Sequence, residues 1–435
     1  EEIYTRLIDY IDGNLIKDSY FNKRLYKYML LDDQITGAQV CMLLFEQNII
    51  DGTDEEKQAV KSGSKSAYSF MLEKIENLDI TPAQLALDPC SGSCVVTDTQ
   101  TGEVLALVTY PGYDNNRLTN SIDSDYYNKI YYDLSQPMWN YATQQLSAPG
   151  STFKMVSAAT ALENNVVGLN ETITCKGTWD TLSPPARCWI APNGSHGPLD
   201  ISGAIEHSCN YFFYEVGYRL SRNNGVYDSD TGLEKLAYYA DQFGLSDKSG
   251  VEISESAPKV SDFDAIRSAI GQGTNNYSTV GLARYVTTVA NSGNCYNLSL
   301  LSKATDADGN LIADYTPTLR NTVDLRQSTW DAIHQGMRKV VEDKDYYKDL
   351  TIQVAGKTGT AQENRKRANH ALFVCYAPYE QPQIAIATRI AFGYASDYAA
   401  QVTKDIVKYY FKLEDESSLI TGTAESTNVV QSAGD

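Results

Sequence analysis

Pro149-Gly150-Ser151-Thr152-Phe153-Lys154-Met155-Val156-Ser157-Ala158-Ala159-Thr160-Ala161-Leu162 is the stretch from which the rest of the chain can be read. Pro149-Gly150 is a turn signal. From Met155 onward the residues are apolar on nearly every face, and a helix of that kind is buried. The turn therefore delivers Ser151 to the head of a buried helix, and a three-residue step puts Lys154 on the same face one turn further on. A lysine inside such a helix is costly unless it is paired or neutral. Burial pushes its pKa down from ~10.4, and a neutral amine beside a serine hydroxyl is a general base. The helix N-terminus also favours negative charge on the serine oxygen. Taken alone, the tetrapeptide is explained more simply by a serine cap followed by a snorkelling lysine.

Context separates this Ser-x-x-Lys from its imitations. Ser62/Lys65 lies in a polar stretch, and Pro258 disfavours a helix at Ser256/Lys259. Two further elements follow in order. Ser208-Cys209-Asn210 comes after Ala204-Ile205-Glu206-His207. Ser-x-Asn also occurs at Ser221, Ser292 and Ser426, and a loop Ser and Asn more often satisfy turns than bind substrates. Lys357-Thr358-Gly359-Thr360 reads as the end of a strand at 352–355, with another strand to follow. Lys61 and Lys248 open similar tripeptides in polar loops, and a solvated strand end with a glycine bend is the plain alternative for Lys357. In this order and these contexts the three elements form a serine–lysine acyl-transfer set.

Outward from the set, the strands lie at the two ends of the domain. Residues 94–99 and 103–110 are rich in Val, Leu and Thr and flank Gln100-Thr101-Gly102, which predicts a β-hairpin. Strands are expected again at 352–355, 371–377 and 384–392. A closing helix is expected to carry Ala395, Tyr398, Ala399, Val402, Ile406, Tyr410 and Leu413 on one face. Residues 150–350 read mostly as helices and loops. Two early and three late strands predict an α+β domain, with one antiparallel sheet assembled from distant segments. Residues 1–87 read as helical. A helix capped by Thr36 covers 36–50, a polar break covers 51–66, a second helix covers 67–78, and Thr81-Pro82 opens a short one. The Ser/Thr/Gly-rich tail, 416–435, is expected to be disordered. No internal repeat is visible.

The chain has 435 residues, too long for one ordinary core, so two or more units are expected. It contains no apolar run of about 18 residues and does not open with a secretory signal. The formal charge of −19 makes nucleic acid and anionic lipid poor partners. Eight cysteines are too few for a disulfide scaffold. Cys90/Cys94 and Cys175/Cys188 could each close a loop, or the thiols could be free and buried. Without a Cys-x-x-Cys or His-x-x-x-His pair, spacing argues against zinc. Only His196, His207, His334 and His370 are available for a Ser-His-Asp triad, and no Gly-x-Ser-x-Gly elbow occurs.

Longer stretches carry a resemblance. They are Thr99-Gln100-Thr101-Gly102-Glu103-Val104-Leu105-Ala106-Leu107, Pro111-Gly112-Tyr113-Asp114, residues 149–154, Cys188-Trp189, Ser195-His196-Gly197, Ser208-Cys209-Asn210-Tyr211-Phe212-Phe213-Tyr214, Ile270-Gly271-Gln272-Gly273, Lys357-Thr358-Gly359-Thr360-Ala361-Gln362 and Phe373-Val374-Cys375-Tyr376-Ala377-Pro378. Over about 85–415 the chain resembles the class B penicillin-binding proteins, and 188–214 look most like the cell-elongation subgroup. The resemblance implies a penicillin-binding/β-lactamase-like transpeptidase domain at 88–415, an antiparallel sheet flanked by helices. Residues 1–87 would be the helical remnant of a pedestal and its connection, the membrane anchor would lie upstream, and the protein would work on the extracytoplasmic face of the cell membrane.

The implied activity is D,D-transpeptidation of peptidoglycan stem peptides through a serine ester, with acylation by β-lactams. Catalytic roles fall to Ser151, Lys154 and Ser208. Substrate binding falls to Asn210, Lys357, Thr358, Gly359 and Thr360, and the N–H groups of Ser151 and Thr360 form the oxyanion hole. Neither a metal nor an organic cofactor is implied. A cell-wall glycosyltransferase is an implied partner, and nucleic acid is not. A D,D-carboxypeptidase, a β-lactamase or a non-catalytic β-lactam sensor would share the motifs. One departure stands out: where the family has a Thr-Pro pair opening a helix, this chain has Ser278-Thr279, which keeps a cap but loses the proline.

Overall fold

In a computed structural model of the chain, the described residues are 2–420 apart from 16, 48, 51, 78, 81–90, 134, 182, 192 and 364–366. They fall into two units, 2–80 and 91–419. The expected boundary at 87/88 and the short helix at Thr81-Pro82 lie outside the described residues, as does the tail from 421. Residues 416–419 of that tail form a helical turn, Glu416–Leu419, against the expectation of disorder.

The first unit is helical, as expected. Thr36 caps the Gly37–Glu46 helix in a capping box with Gln39. The polar break is itself largely a helix, Asp54–Ser62, started by a second capping box between Thr53 and Glu56 and ended by Gly63 in the left-handed region. Ser62 is therefore the last residue of a helix. The sequence hides this helix because only Val60 is buried. The unit's small core is Cys41, Phe45, Ile50, Val60, Phe70 and Ile80. Among the described residues no helix is long and apolar enough to cross a membrane.

The second unit is built on five strands: β1 (Gly92–Asp98), β2 (Val104–Tyr110), β3 (Ala355–Ala361), β4 (His370–Ala377) and β5 (Ile384–Ile390). They form one sheet in the order β3-β4-β5-β1-β2, every pair antiparallel. Alternation divides their side chains between two cores. Val95, Leu372, Val374, Tyr376, Ala385 and Ala387 join the core that holds the Lys154–Glu163 helix. Cys94, Val96, Phe373, Cys375, Ile384 and Ile386 join the core that holds Ala399, Ala400 and Val407 of the closing helix. A sheet buried on both faces reads as continuous apolar sequence, which is why these strands were visible.

Two details differ from expectation. The strand placed at 352–355 is β3, at Ala355–Ala361, so Lys357-Thr358-Gly359-Thr360 lies inside an edge strand and does not end one. The closing helix, Ser396–Tyr410, buries Ser396, Ala399, Ala400, Thr403 and Val407, while Val402 and Tyr410 are exposed. Its true face is turned from the predicted one because small residues, not large ones, allow the helix to pack closely on β4 and β5.

Candidate active site

The Ser151 loop is held by backbone packing that only glycine permits. Gly150 N–H donates to Gly271 O at 3.1 Å. A β-carbon on Gly271 would sit 1.8 Å from the carbonyl oxygen of Gly150, and Gly271 has φ +79°. One on Gly359 would meet Thr152 Cγ2 at 2.7 Å and Pro149 O at 2.9 Å. The glycine of Lys-Thr-Gly is thus explained by close approach of β3 to the head of the buried helix. Gly150 lies equally close to the Thr360 backbone. Ser151 and Thr360, the two expected oxyanion donors, therefore come from adjoining backbone.

Ser151 lies in a short 3₁₀ turn, Gly150–Phe153, and Lys154 is the first residue of the following helix. In a 3₁₀ turn residues i and i+3 eclipse, so the two share a face. The simpler reading of the tetrapeptide fails on both counts. The cap position belongs to Pro149, and Lys154 is fully buried, which excludes snorkelling.

The Lys154 amine meets the second motif. Its Nζ lies 2.8 Å from Ser208 O, 2.7 Å from Asn210 Oδ1 and 3.1 Å from Ser208 Oγ, with the Phe213 ring 5.6 Å away. The carbonyl and the amide oxygen can only accept, and a neutral amine has two hydrogens for them. Ser208 Oγ is a third oxygen within reach of the amine, close enough for the two side chains to exchange a proton. Ser208 is held there in a left-handed conformation, φ +49°, between the Ile201–Glu206 and Asn210–Leu220 helices. Lys357 is also fully buried, not solvated, with its Nζ 3.0 Å from Thr358 O and 3.4 Å from Thr358 Oγ1. Thr358 and Thr360 are buried beside it. Ser278 caps the Thr279–Ala290 helix through Gly281 N–H at 3.1 Å, so the helix start survives the missing proline.

Sequence spacing concealed one cluster. Cys175, Cys188, His196 and Cys209 bring four ligand atoms within 4.8 Å of one another, from positions 13, 8 and 13 residues apart in sequence. Cys175, Cys188 and Cys94 are free thiols; Cys90 lies outside the described residues. Cys188 Sγ is 4.0 Å from Cys209 Sγ and 3.6 Å from His196 Nδ1. Around a tetrahedral zinc, two thiolates would be about 3.8 Å apart and a thiolate and an imidazole nitrogen about 3.6 Å. Hydrogen bonding to Cys209, working against burial, draws Cys188 and Cys175 below the ordinary thiol range, while Cys209 is pushed up. The donor set fits a closed Cys₃His zinc site of the structural kind, contrary to the expectation from spacing.

Cys209 is also the middle residue of Ser208-Cys209-Asn210, and its sulfur caps the Asn210–Leu220 helix through Phe212 N–H. An ion held there would fix the loop that meets Lys154. Protein purified without chelator is expected to carry about one zinc per chain. Stripping it is expected to lower Tm by on the order of 5 °C and to slow acylation, as read by elemental analysis and a fluorescent penicillin.

A sheet covered by helices on both faces, with a serine–lysine pair at the head of the buried helix and an edge strand alongside, defines the penicillin-binding/β-lactamase-like class. The chain belongs to the penicillin-binding protein transpeptidase domain family, whose sequence model matches residues 92–408. It is 30% identical to the peptidoglycan D,D-transpeptidase MrdA of Haemophilus influenzae over 74% of this chain and 53% of that protein. Among solved structures it is similar to Pseudomonas aeruginosa PBP2 in complex with WCK 5153, with a TM-score of 0.63, 26% identity and 77% of each chain covered. Helicobacter pylori PBP2 gives a TM-score of 0.63 at 25% identity, over 74% of this chain and 60% of that one. The chain spans about half the length of the MrdA proteins it matches.

Proposed function

We propose that this chain is the transpeptidase part of a class B penicillin-binding protein of the cell-elongation type. Ser151 attacks the carbonyl between two terminal D-alanines of a stem peptide and forms an ester. Lys154 takes its proton, and Ser208 passes a proton to the leaving amine. Asn210 holds the substrate amide. Lys357, Thr358 and Thr360 bind the terminal carboxylate, while Gly359 lets their strand lie against the serine loop. The N–H groups of Ser151 and Thr360 receive the oxyanion; losing one such donor typically costs ~2.7–4 kcal/mol of transition-state stabilisation. An amine from a second stem peptide then resolves the ester. The observation that carries this reading is the contact of the buried Lys154 amine with Ser208 and Asn210, one turn from Ser151. The protein would work on the extracytoplasmic face of the cell membrane, anchored upstream and alongside a cell-wall glycosyltransferase.

Turnover of a D-Ala-D-Ala thioester mimic in the presence of an amine tests it. Release of the leaving group together with the aminolysis product is expected. Release with hydrolysis alone would make the chain a carboxypeptidase, and acylation without turnover would make it a sensor. With benzylpenicillin the acyl-enzyme is expected to outlast removal of free drug. Rapid recovery of active enzyme with hydrolysed drug would favour a β-lactamase.

A further inference from the structure

Arg389 is a charged residue on a face of the sheet whose other residues are mostly apolar. In β5 it stands opposite Leu372 of β4 and two residues from Ala387, and both of those side chains belong to the core that holds the Lys154–Glu163 helix. The arginine is buried with them. A guanidinium taken out of water is costly unless hydrogen bonds satisfy it, so its partners matter. Nε donates to Ser147 Oγ at 3.1 Å, and Nη2 lies 3.5 Å from His370 Nδ1. These partners belong to the two segments that supply the expected oxyanion donors. Ser147 is four residues before Ser151. His370 opens β4, opposite Ala361, the residue after Thr360. Phe392 N–H donates to His370 Nδ1 at 3.1 Å, so the ring proton sits on Nε2, 2.6 Å from Glu363 Oε2. Glu363 is three residues beyond Thr360. A path of side chains, Ser147–Arg389–His370–Glu363, thus joins the approach to Ser151 to the end of β3.

Resting on the acyl-transfer reading above, we propose that Arg389 is a positioning residue that fixes the separation of the Ser151 and Thr360 N–H groups. The close contacts of Gly150 and Gly359 limit how near β3 can come to the serine loop. Such contacts are repulsive and set a lower bound only. Arg389 supplies an attractive tie that keeps the two segments from drifting apart. The requirement is strict, because oxyanion donors act only when they lie about 2.7–3.1 Å from the oxygen that becomes charged. Arginine suits the task because its rigid fork reaches two partners in fixed directions, whereas a lysine amine is a single point on a flexible stem. His370 and Glu363 extend the tie to the strand end.

The test is turnover of the D-Ala-D-Ala thioester by Arg389→Met, Arg389→Lys, Ser147→Ala and the Arg389→Met/Ser147→Ala double variant, with active chains counted by penicillin labelling. Arg389→Met is expected to lower kcat per active chain by about 10–100-fold, the scale of a small misplacement of catalytic groups. KM should change little, because oxyanion contacts form in the transition state. Its melting temperature should stay near wild type, since an apolar side chain replaces a buried charge. Ser147→Ala should lower kcat in the same way, the double variant should be no slower than Arg389→Met because both changes cut one tie, and Arg389→Lys should recover part of the rate. A merely structural role would lower the melting temperature and the number of active chains, leaving kcat per active chain at the wild-type value. That value in Arg389→Met, or a loss confined to KM, overturns the proposal. Should Arg389→Met fail to fold, Ser147→Ala decides, and a wild-type kcat there overturns it. If wild type neither turns over the thioester nor takes up penicillin, the acyl-transfer reading itself fails, and this proposal fails with it.

Discussion

Lys154→Arg is expected to lower the second-order rate of acylation by a fluorescent penicillin by about 10²–10⁴-fold, the usual contribution of a general base. Lys154 lies in a fully buried helix, within hydrogen-bond distance of Ser208 O, Ser208 Oγ and Asn210 Oδ1. A general base must accept a hydroxyl proton, and a lysine amine does so in its neutral form. A guanidinium has no lone pair to offer and is not deprotonated in proteins. Lys357 stands in a different position. It lies in β3, its amine near Thr358, and its assigned task needs only positive charge. Lys357→Arg is therefore expected to keep a measurable share of the activity across the pH range. Equal rates for the two variants would mean that another group is the base.

Gly271→Ala is expected to destabilise the domain by about 2–5 kcal/mol, the sum of a strained left-handed residue and an overpacked contact. It is also expected to abolish acylation in whatever folded protein remains. The added carbon would lie 1.8 Å from the Gly150 carbonyl, where only backbone can give way. Gly150 is the residue before Ser151, and its own contacts run to the Thr360 backbone. Any shift that relieves the clash therefore moves the serine loop against the strand that carries the second oxyanion donor. Thermal melts of the two proteins, read beside their acylation rates, check this. A variant that melts and acylates like wild type would show that the loop tolerates displacement.

Much of this arrangement could be read from sequence because local rules and burial agreed. The apolar run after Lys154 specified a buried helix. The strands β1, β4 and β5 showed as apolar runs because both faces of the sheet are covered there, and β2 showed through its Val and Leu content beside the turn although it is half-exposed. What stayed hidden had physical causes. β3 is Ala355-Gly356-Lys357-Thr358-Gly359-Thr360-Ala361, with no apolar alternation, because close approach to Pro149 and Thr152 demands small residues. The closing helix buries Ala399, Ala400 and Thr403, so ranking its residues by size pointed to the wrong face. The cysteine–histidine cluster draws ligands from four separate places, and spacing rules for local pairs cannot see it. The Asp54–Ser62 helix did carry a local signal, Thr53 with Glu56 three residues on, but its charged composition masked it.

The central claim is that Ser151 is the nucleophile, and mass spectrometry of the intact protein after benzylpenicillin, followed by peptide mapping, tests it most directly. One covalent adduct per chain is predicted, on the peptide that contains Ser151. An adduct mapped to Ser62, Ser208 or Ser256, or no adduct at all in folded protein, would contradict it.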